Sequence, residues 1–292
     1  MKYGIYYAYW EDEWSADYIP YIKKAAKLGF DILEIACTPI PSYSSAKLAE
    51  LKACAAEYGL TLTGGHGPSA RHNIASADPA VVREGMEFYT GLYKKLEILG
   101  ITKIGGGIYS YWPVDYTKPI DKQGDRARSI NNLRILAQAA KNHGINLYLE
   151  VLNRFEGYIL NTAEEGVRFV DEIGADNVKL TLDTFHMNIE EDSFGGAIRL
   201  AGDRLGHLHI GEANRRVPGK GRLPWQEIGE ALKDINYQGD VVMEPFVRRG
   251  GTVGSDIKIW RELEKKTDTE SLDRDAKESL VFIKNVFGSS GY

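Results

Sequence analysis

Glu150, Asp183, His209 and Glu244 have the most chemistry to offer in this chain, because each interrupts or closes a short apolar run. The runs read "INLYLEVL", "NVKLTLDTFH", "LGHLHIGE" and "GDVVMEPFV". Burying one ionised carboxylate in such a run costs several kcal/mol unless it finds a partner or neutralises. Three carboxylates and one imidazole brought together would also repel one another and drive carboxyl pKa values upward. A divalent cation among them offsets both penalties. Mostly oxygen donors with one imidazole suit Mn²⁺, Mg²⁺ or Co²⁺, and the lack of thiolate ligands argues against structural zinc.

Such a site requires elements that deliver all four groups to one place. Apolar strand-like runs alternate with amphipathic helical stretches along the whole sequence, from "KYGIYYAYW" to "GDVVMEPFV" and the helices after it. Helix boundaries are marked by Gly29 and Gly59 as stops, by Asp78–Pro79 as a start, and by a capping box from Thr162 to Glu165. Eight strand–helix units without a linker-like break predict a parallel sheet wrapped in helices. In about this length they suit a single closed (β/α)₈ barrel of the TIM type, residues 1–287, with 288–292 as a flexible tail. A doubly wound sheet is the rival, but no GxGxxG follows the first strand, and Gly105–Gly107 lacks the remaining spacing. In a barrel the carboxyl ends of the strands converge on one face. Strands five to eight would then aim the four groups into one mouth, with the fifth and eighth strands lying across the barrel from each other.

Other candidates fall on loops at that face. Glu156 follows Glu150, His186 follows Asp183, and Arg215 lies in "GEANRRVPGKGR" after the seventh strand. For Glu156 and Arg215 a surface salt bridge is the competing reading. His207 shares strand parity with His209 and is expected to pack in a deeper layer. His66 ends a strand and could line the mouth, but packing or support of the site is the favoured expectation, while His72 and His143 read as solvated loop and helix-end residues. Tyr6, Trp14, Trp112 and Phe246 fall at or just after strand ends. Aromatic faces with a few polar groups suit a sugar, which presents C–H surface between its hydroxyls.

Net charge is −5 and no basic tract stands out, so nucleic acid and anionic membrane surfaces are not expected partners. No apolar run approaches the roughly 20 residues that span a bilayer, and the start shows no signal-peptide pattern. Cys37 and Cys54 form no metal-like pair and suit a reduced, cytoplasmic setting.

At these residues the sequence resembles a known family. "LEVLNRFEGYILNTAEEG", "LDTFHMNIEEDSFGGAIR", "GHLHIGEANRRVPGKGRLPW" and "VVMEPFVRRGGTVGSDIKIWR" are similar to the ketose 3-epimerases, the D-psicose (D-allulose) and D-tagatose 3-epimerases. The likeness covers essentially the whole chain. It implies a (β/α)₈ barrel with one Mn²⁺ or Co²⁺ ion, acting on free ketohexoses, in a homodimer or homotetramer. It makes Glu150, Asp183, His209 and Glu244 the metal ligands and Glu150 with Glu244 the acid/base pair. It also makes Glu156, His186 and Arg215 contacts for the C1–C2 end of the sugar. Tyr6, Trp14, Trp112, Phe246, Gly65 and Gly107 correspond to positions near its distal end, and the two glycines are where family members vary.

The implied chemistry removes the C3 proton next to a C2 carbonyl and returns one on the opposite face, which requires two glutamates rather than one. Three rivals stand beside it. An aldose–ketose isomerase on the same barrel would move hydrogen between C1 and C2. A metal-dependent DNA-repair endonuclease shares the barrel type, but six histidines and a negative net charge count against it. A non-catalytic sugar-binding barrel would have lost one of the two glutamates.

Overall fold

The computed structural model describes residues 1–288. Its strands are β1 Lys2–Tyr6, β2 Ile32–Ala36, β3 Thr61–Gly65, β4 Lys103–Gly106, β5 Asn146–Glu150, β6 Val178–Asp183, β7 Leu205–Ile210 and β8 Asp240–Met243. All pair in parallel with their sequence neighbours, and β8 returns to β1 to close the barrel. The helices are α1 Tyr18–Leu28, α2 Ser45–Glu57, α3 Pro79–Leu99, α4 Lys122–Asn142, α5 Ala163–Ile173, α6 Thr184–Glu190, α7 Phe194–Ala201, α8 Trp225–Asp234, α9 Gly251–Ile257 and α10 Thr269–Gly288. The alternating pattern therefore does give the closed barrel. Gly288, assigned to the tail by sequence, still belongs to α10, and the rest of that tail lies outside the described residues.

Strands covered by helices outside and by side chains inside are buried on both faces, so they read as nearly unbroken apolar runs. In β2 every residue is buried. The helix boundaries follow local chemistry. Asp78 accepts the Ala80 N–H ahead of Pro79, and Gly100 closes α3 in the left-handed conformation. Thr162 accepts the Glu165 N–H, but the return bond differs from a standard capping box. Glu165 takes the N–H of Asn161, one residue before the cap. After β6 the sequence shows only the helix that became α7. The chain first makes α6, because Asp183 ends the strand and at once caps the helix by accepting the Phe185 N–H.

One irregularity sets the inward parity. Leu180 pairs with Leu205 but Thr181 pairs with His207, which leaves Gly206 as an extra residue on β7. A Cβ on Gly206 would lie 2.7 Å from the Tyr148 ring, so glycine is what allows this close approach. Beyond the bulge, Thr181, Asp183, His207 and His209 run in matched register.

Candidate active site

The carboxyl ends of the strands meet around Glu150, Asp183, His209 and Glu244, whose ligand-capable atoms all lie within 4.8 Å of one another. Glu150 and Asp183 are the last residues of β5 and β6, and His209 lies near the end of β7. Glu244 stands one residue beyond β8, where its N–H still donates to Ile210 O. β5 and β8 are three places apart around the ring, not opposite as the sequence suggested; β1 is the strand facing β5. Their carboxylates nevertheless reach the same nitrogen. His209 Nδ1 lies 3.2 Å from Glu150 and 3.6 Å from Glu244.

Arg215 closes the cluster. Its guanidinium donates to Asp183 at 2.9 Å and to Glu244 at 3.1 Å, and it lies 3.6 Å from Glu156. It stacks over Phe185 at 3.8 Å and is buried, so a surface salt bridge does not describe it. Its backbone is left-handed at φ 67°, a conformation that costs a non-glycine residue on the order of 1 kcal/mol or more. The turn is fixed by Glu212, whose carbonyl accepts the Arg215 N–H and whose buried carboxylate accepts from Gly219 N and Trp225 Nε1.

His186 faces Glu150 and Asp183 with Nε2, at 3.9 and 3.7 Å. The backbone and side-chain amides of Asn153 point at its Nδ1, at 3.2 and 2.8 Å. Nδ1 is therefore the acceptor and Nε2 carries the proton, a donor aimed into the mouth. Asn153 also donates to Glu156, so one amide orients both neighbours.

Sequence reasoning missed Glu34. It sits inside β2, 2% exposed, with Oε1 2.8 Å from His209 Nε2 and Oε2 accepting the Thr63 hydroxyl at 2.8 Å. His207 lies 3.2 Å from Glu34 Oε2 outside hydrogen-bonding geometry and stacks on Tyr148. It is thus the deeper packed residue expected, but packed against a charge. The signal for Glu34 was the one that marked Glu150, a carboxylate in an apolar strand, here placed before the strand end.

The electrostatics follow from burial and charge. Burial pushes the Glu34 carboxyl up, but the His209 and His207 imidazoles outweigh it and hold Glu34 below the usual carboxylate range. Glu150 is also held low: burial opposes, and the hydrogen bond and charge of His209 prevail. Glu244 goes the other way, pushed up to about 8 by burial together with the nearby Glu150 and Asp183 charges. Burial favours a neutral His209, yet Glu244 and Glu34 together raise its pKa well above the ordinary imidazole value. Among the protein groups alone, one carboxylate cannot ionise freely and one imidazole is held cationic. That donor set fits a divalent cation, which would relieve both.

The outer mouth is an aromatic wall. Trp14 packs edge-on against Trp112 and Phe246, at 5.6 and 5.9 Å, and Phe246 meets Tyr6 at 6.0 Å. Trp14 Nε1 donates to Asp256 at 2.8 Å, which ties this wall to α9. The two glycines differ. A Cβ at Gly65 would lie 2.9 Å from Tyr6 and 3.3 Å from Glu34, whereas at Gly107 only Leu152 comes within reach, at 3.7 Å. His66 lines the pocket and stacks on Phe88. His72, expected to be solvated, also lines it and is half-buried on the same Phe88 ring at 4.1 Å. His143 caps the end of α4, as expected, but it too is half-buried rather than solvated and bonds Glu97.

Fold and mouth define a xylose isomerase-like TIM barrel, and residues 22–280 match the model of that family. A D-psicose 3-epimerase from Ruminiclostridium cellulolyticum is 61% identical over 98% of each chain. A crystal structure of D-psicose 3-epimerase with D-tagatose, from Clostridium cellulolyticum, superposes with a TM-score of 0.97 at 61% identity, covering 98% of this chain and 99% of that one. A D-psicose 3-epimerase solved in the presence of D-fructose gives 0.98 at 56% identity, covering 99% and 100%. The chain belongs to the D-psicose 3-epimerase family.

Proposed function

We propose that this protein inverts C3 of free ketohexoses, interconverting D-fructose with D-psicose and D-tagatose with D-sorbose, with one Mn²⁺ or Co²⁺ ion per subunit as cofactor and Mg²⁺ as an alternative. The observation that carries the reading is the convergence of Glu150 and Glu244 on one imidazole nitrogen beside Asp183. Relatives named D-psicose 3-epimerase at 56–61% identity support it.

Glu150, Asp183, His209 and Glu244 would hold the ion. When bound, it supplies a positive charge that polarises the C2 carbonyl and acidifies the neighbouring C–H. The remaining work belongs to the side chains. One of Glu150 and Glu244 takes the C3 proton, giving a planar enediolate, and the other delivers a proton to the opposite face. Their roles exchange with the direction of reaction. Arg215, the Nε2–H of His186 and Glu156 hold the C1–C2 end so that C3 lies between the two carboxylates. Tyr6, Trp14, Trp112 and Phe246 cover the apolar faces of the distal carbons and shield the site from water, with Gly65 and Gly107 leaving room beside them.

A homodimeric or homotetrameric assembly belongs to the same proposal through the family likeness. A cytoplasmic setting suits the buried, unbridged Cys37 and Cys54. Incubation of D-fructose with the protein and Mn²⁺ tests the function. D-psicose as product supports it; D-glucose or D-mannose would show the isomerase chemistry instead.

A further inference from the structure

Glu34 is a charge at the centre of an apolar strand. A buried carboxylate costs several kcal/mol unless its partners compensate, and both oxygens of Glu34 are committed. Oε1 accepts from His209 Nε2 at 2.8 Å, and Oε2 accepts from the Thr63 hydroxyl at 2.8 Å. Thr63 stands opposite Glu34 in the β2–β3 register, so the bond from β3 fixes the carboxylate before it meets the ring. The His209 ring is further held edge-on by His207, with centroids 4.9 Å apart.

We infer that Glu34 is a positioning residue of the metal site, which fixes the His209 ring and its tautomer so that Nδ1 faces Glu150 and Glu244. A proton shared between Nε2 and Glu34 leaves the Nδ1 lone pair free for a cation, and the carboxylate increases the donor strength of the ring. The chain Thr63–Glu34–His209 thus spans β3, β2 and β7 through the barrel interior. Of the four candidate ligands, His209 is the one that Glu34 hydrogen-bonds.

Glu34, His207 and His209 also lie close enough to form a cation site of their own. That arrangement would require His209 to give Nε2 to one cation and Nδ1 to another. The Thr63 hydroxyl is already donated to Glu34, and all three residues are 2% exposed. Support of one site is the reading that keeps both bonds of Glu34, to Thr63 and to His209.

The inference rests on the metal-site reading above, and the test separates the two. Glu34→Gln and Glu34→Ala are compared with the unaltered protein by calorimetric titration of Mn²⁺, by the visible absorption of bound Co²⁺, and by circular dichroism. The unaltered protein is expected to bind one cation per chain. Affinity should fall about ten-fold in Glu34→Gln, whose amide oxygen still accepts the ring N–H, and about a hundred-fold in Glu34→Ala. The Co²⁺ spectrum should change in both, while the KM for D-fructose at saturating metal stays the same. If Glu34→Ala does not fold, Glu34→Gln decides. Binding within about two-fold of the unaltered protein in the folded variants overturns the inference, as does a stoichiometry of two. An unaltered protein that binds no cation overturns the site reading itself.

Discussion

The Glu150 and Glu244 carboxylates share one neighbour, His209 Nδ1, which lies 3.2 Å from one and 3.6 Å from the other. They are not equivalent. Glu150 is held ionised by its hydrogen bond to His209, whereas Glu244 is held toward its neutral form by burial and by its acidic neighbours. A pair whose environments push proton affinity in opposite directions is what acid/base exchange requires. It is also a pair that a shared cation would bring level.

Replacement of either glutamate by its amide keeps the shape and removes the base. Glu150→Gln and Glu244→Gln are each expected to lower turnover by at least about 10²–10⁴-fold, the usual scale for a lost general base. The circular dichroism spectrum should be retained. Product assay over hours with excess Mn²⁺ checks this, and substantial residual turnover in either variant would rule out a two-base route.

Cation binding should release protons and strengthen as pH rises. Glu244 has its pKa raised to about 8, and His209 well above the ordinary imidazole value, so both carry a proton near neutrality. Both must lose it to act as ligands. Affinity is therefore expected to climb with pH through about 8 and to fall on acidification. Below about pH 5 even ordinary carboxylates begin to take up protons, and catalysis should fail. Calorimetry in two buffers of different ionisation enthalpy counts the protons; a count of zero at neutral pH contradicts the assignment.

The two glycines of the distal pocket should respond differently. Gly107→Ala meets only Leu152 at an ordinary contact distance, so it should fold normally and shift the preference among fructose, psicose, tagatose and sorbose. Gly65→Ala would press on Tyr6 and Glu34, and is expected to cost about 1–3 kcal/mol of stability. Thermal unfolding alongside relative kcat/KM for the four ketoses distinguishes them. Equal effects from both substitutions would mean that the distal pocket is not shaped as described.

The barrel was legible in the sequence because doubly buried parallel strands leave apolar runs, and glycine or aspartate marks the helix ends between them. Glu150 could be found because a carboxylate breaks such a run at its carboxyl end. Glu34 breaks "ILEIA" in the same way but lies two residues before the strand ends, below the level where a rim residue was sought. His207 was placed correctly by parity, yet parity does not reveal that a carboxylate from β2 lies 3.2 Å away. Likewise, α6 was hidden because Asp183 serves at once as strand end, helix cap and site residue. The contact from Trp14 to Asp256 joins opposite ends of the chain, which no local pattern announces.

The most direct measurement runs D-fructose with the Mn²⁺-loaded protein in D₂O and reads the product by NMR. Proton exchange through two opposed carboxylates predicts D-psicose carrying deuterium at C3, with all conversion lost once the metal is stripped. An aldose product, with hydrogen moved between C1 and C2, or epimerisation that persists in the stripped protein, would contradict the account.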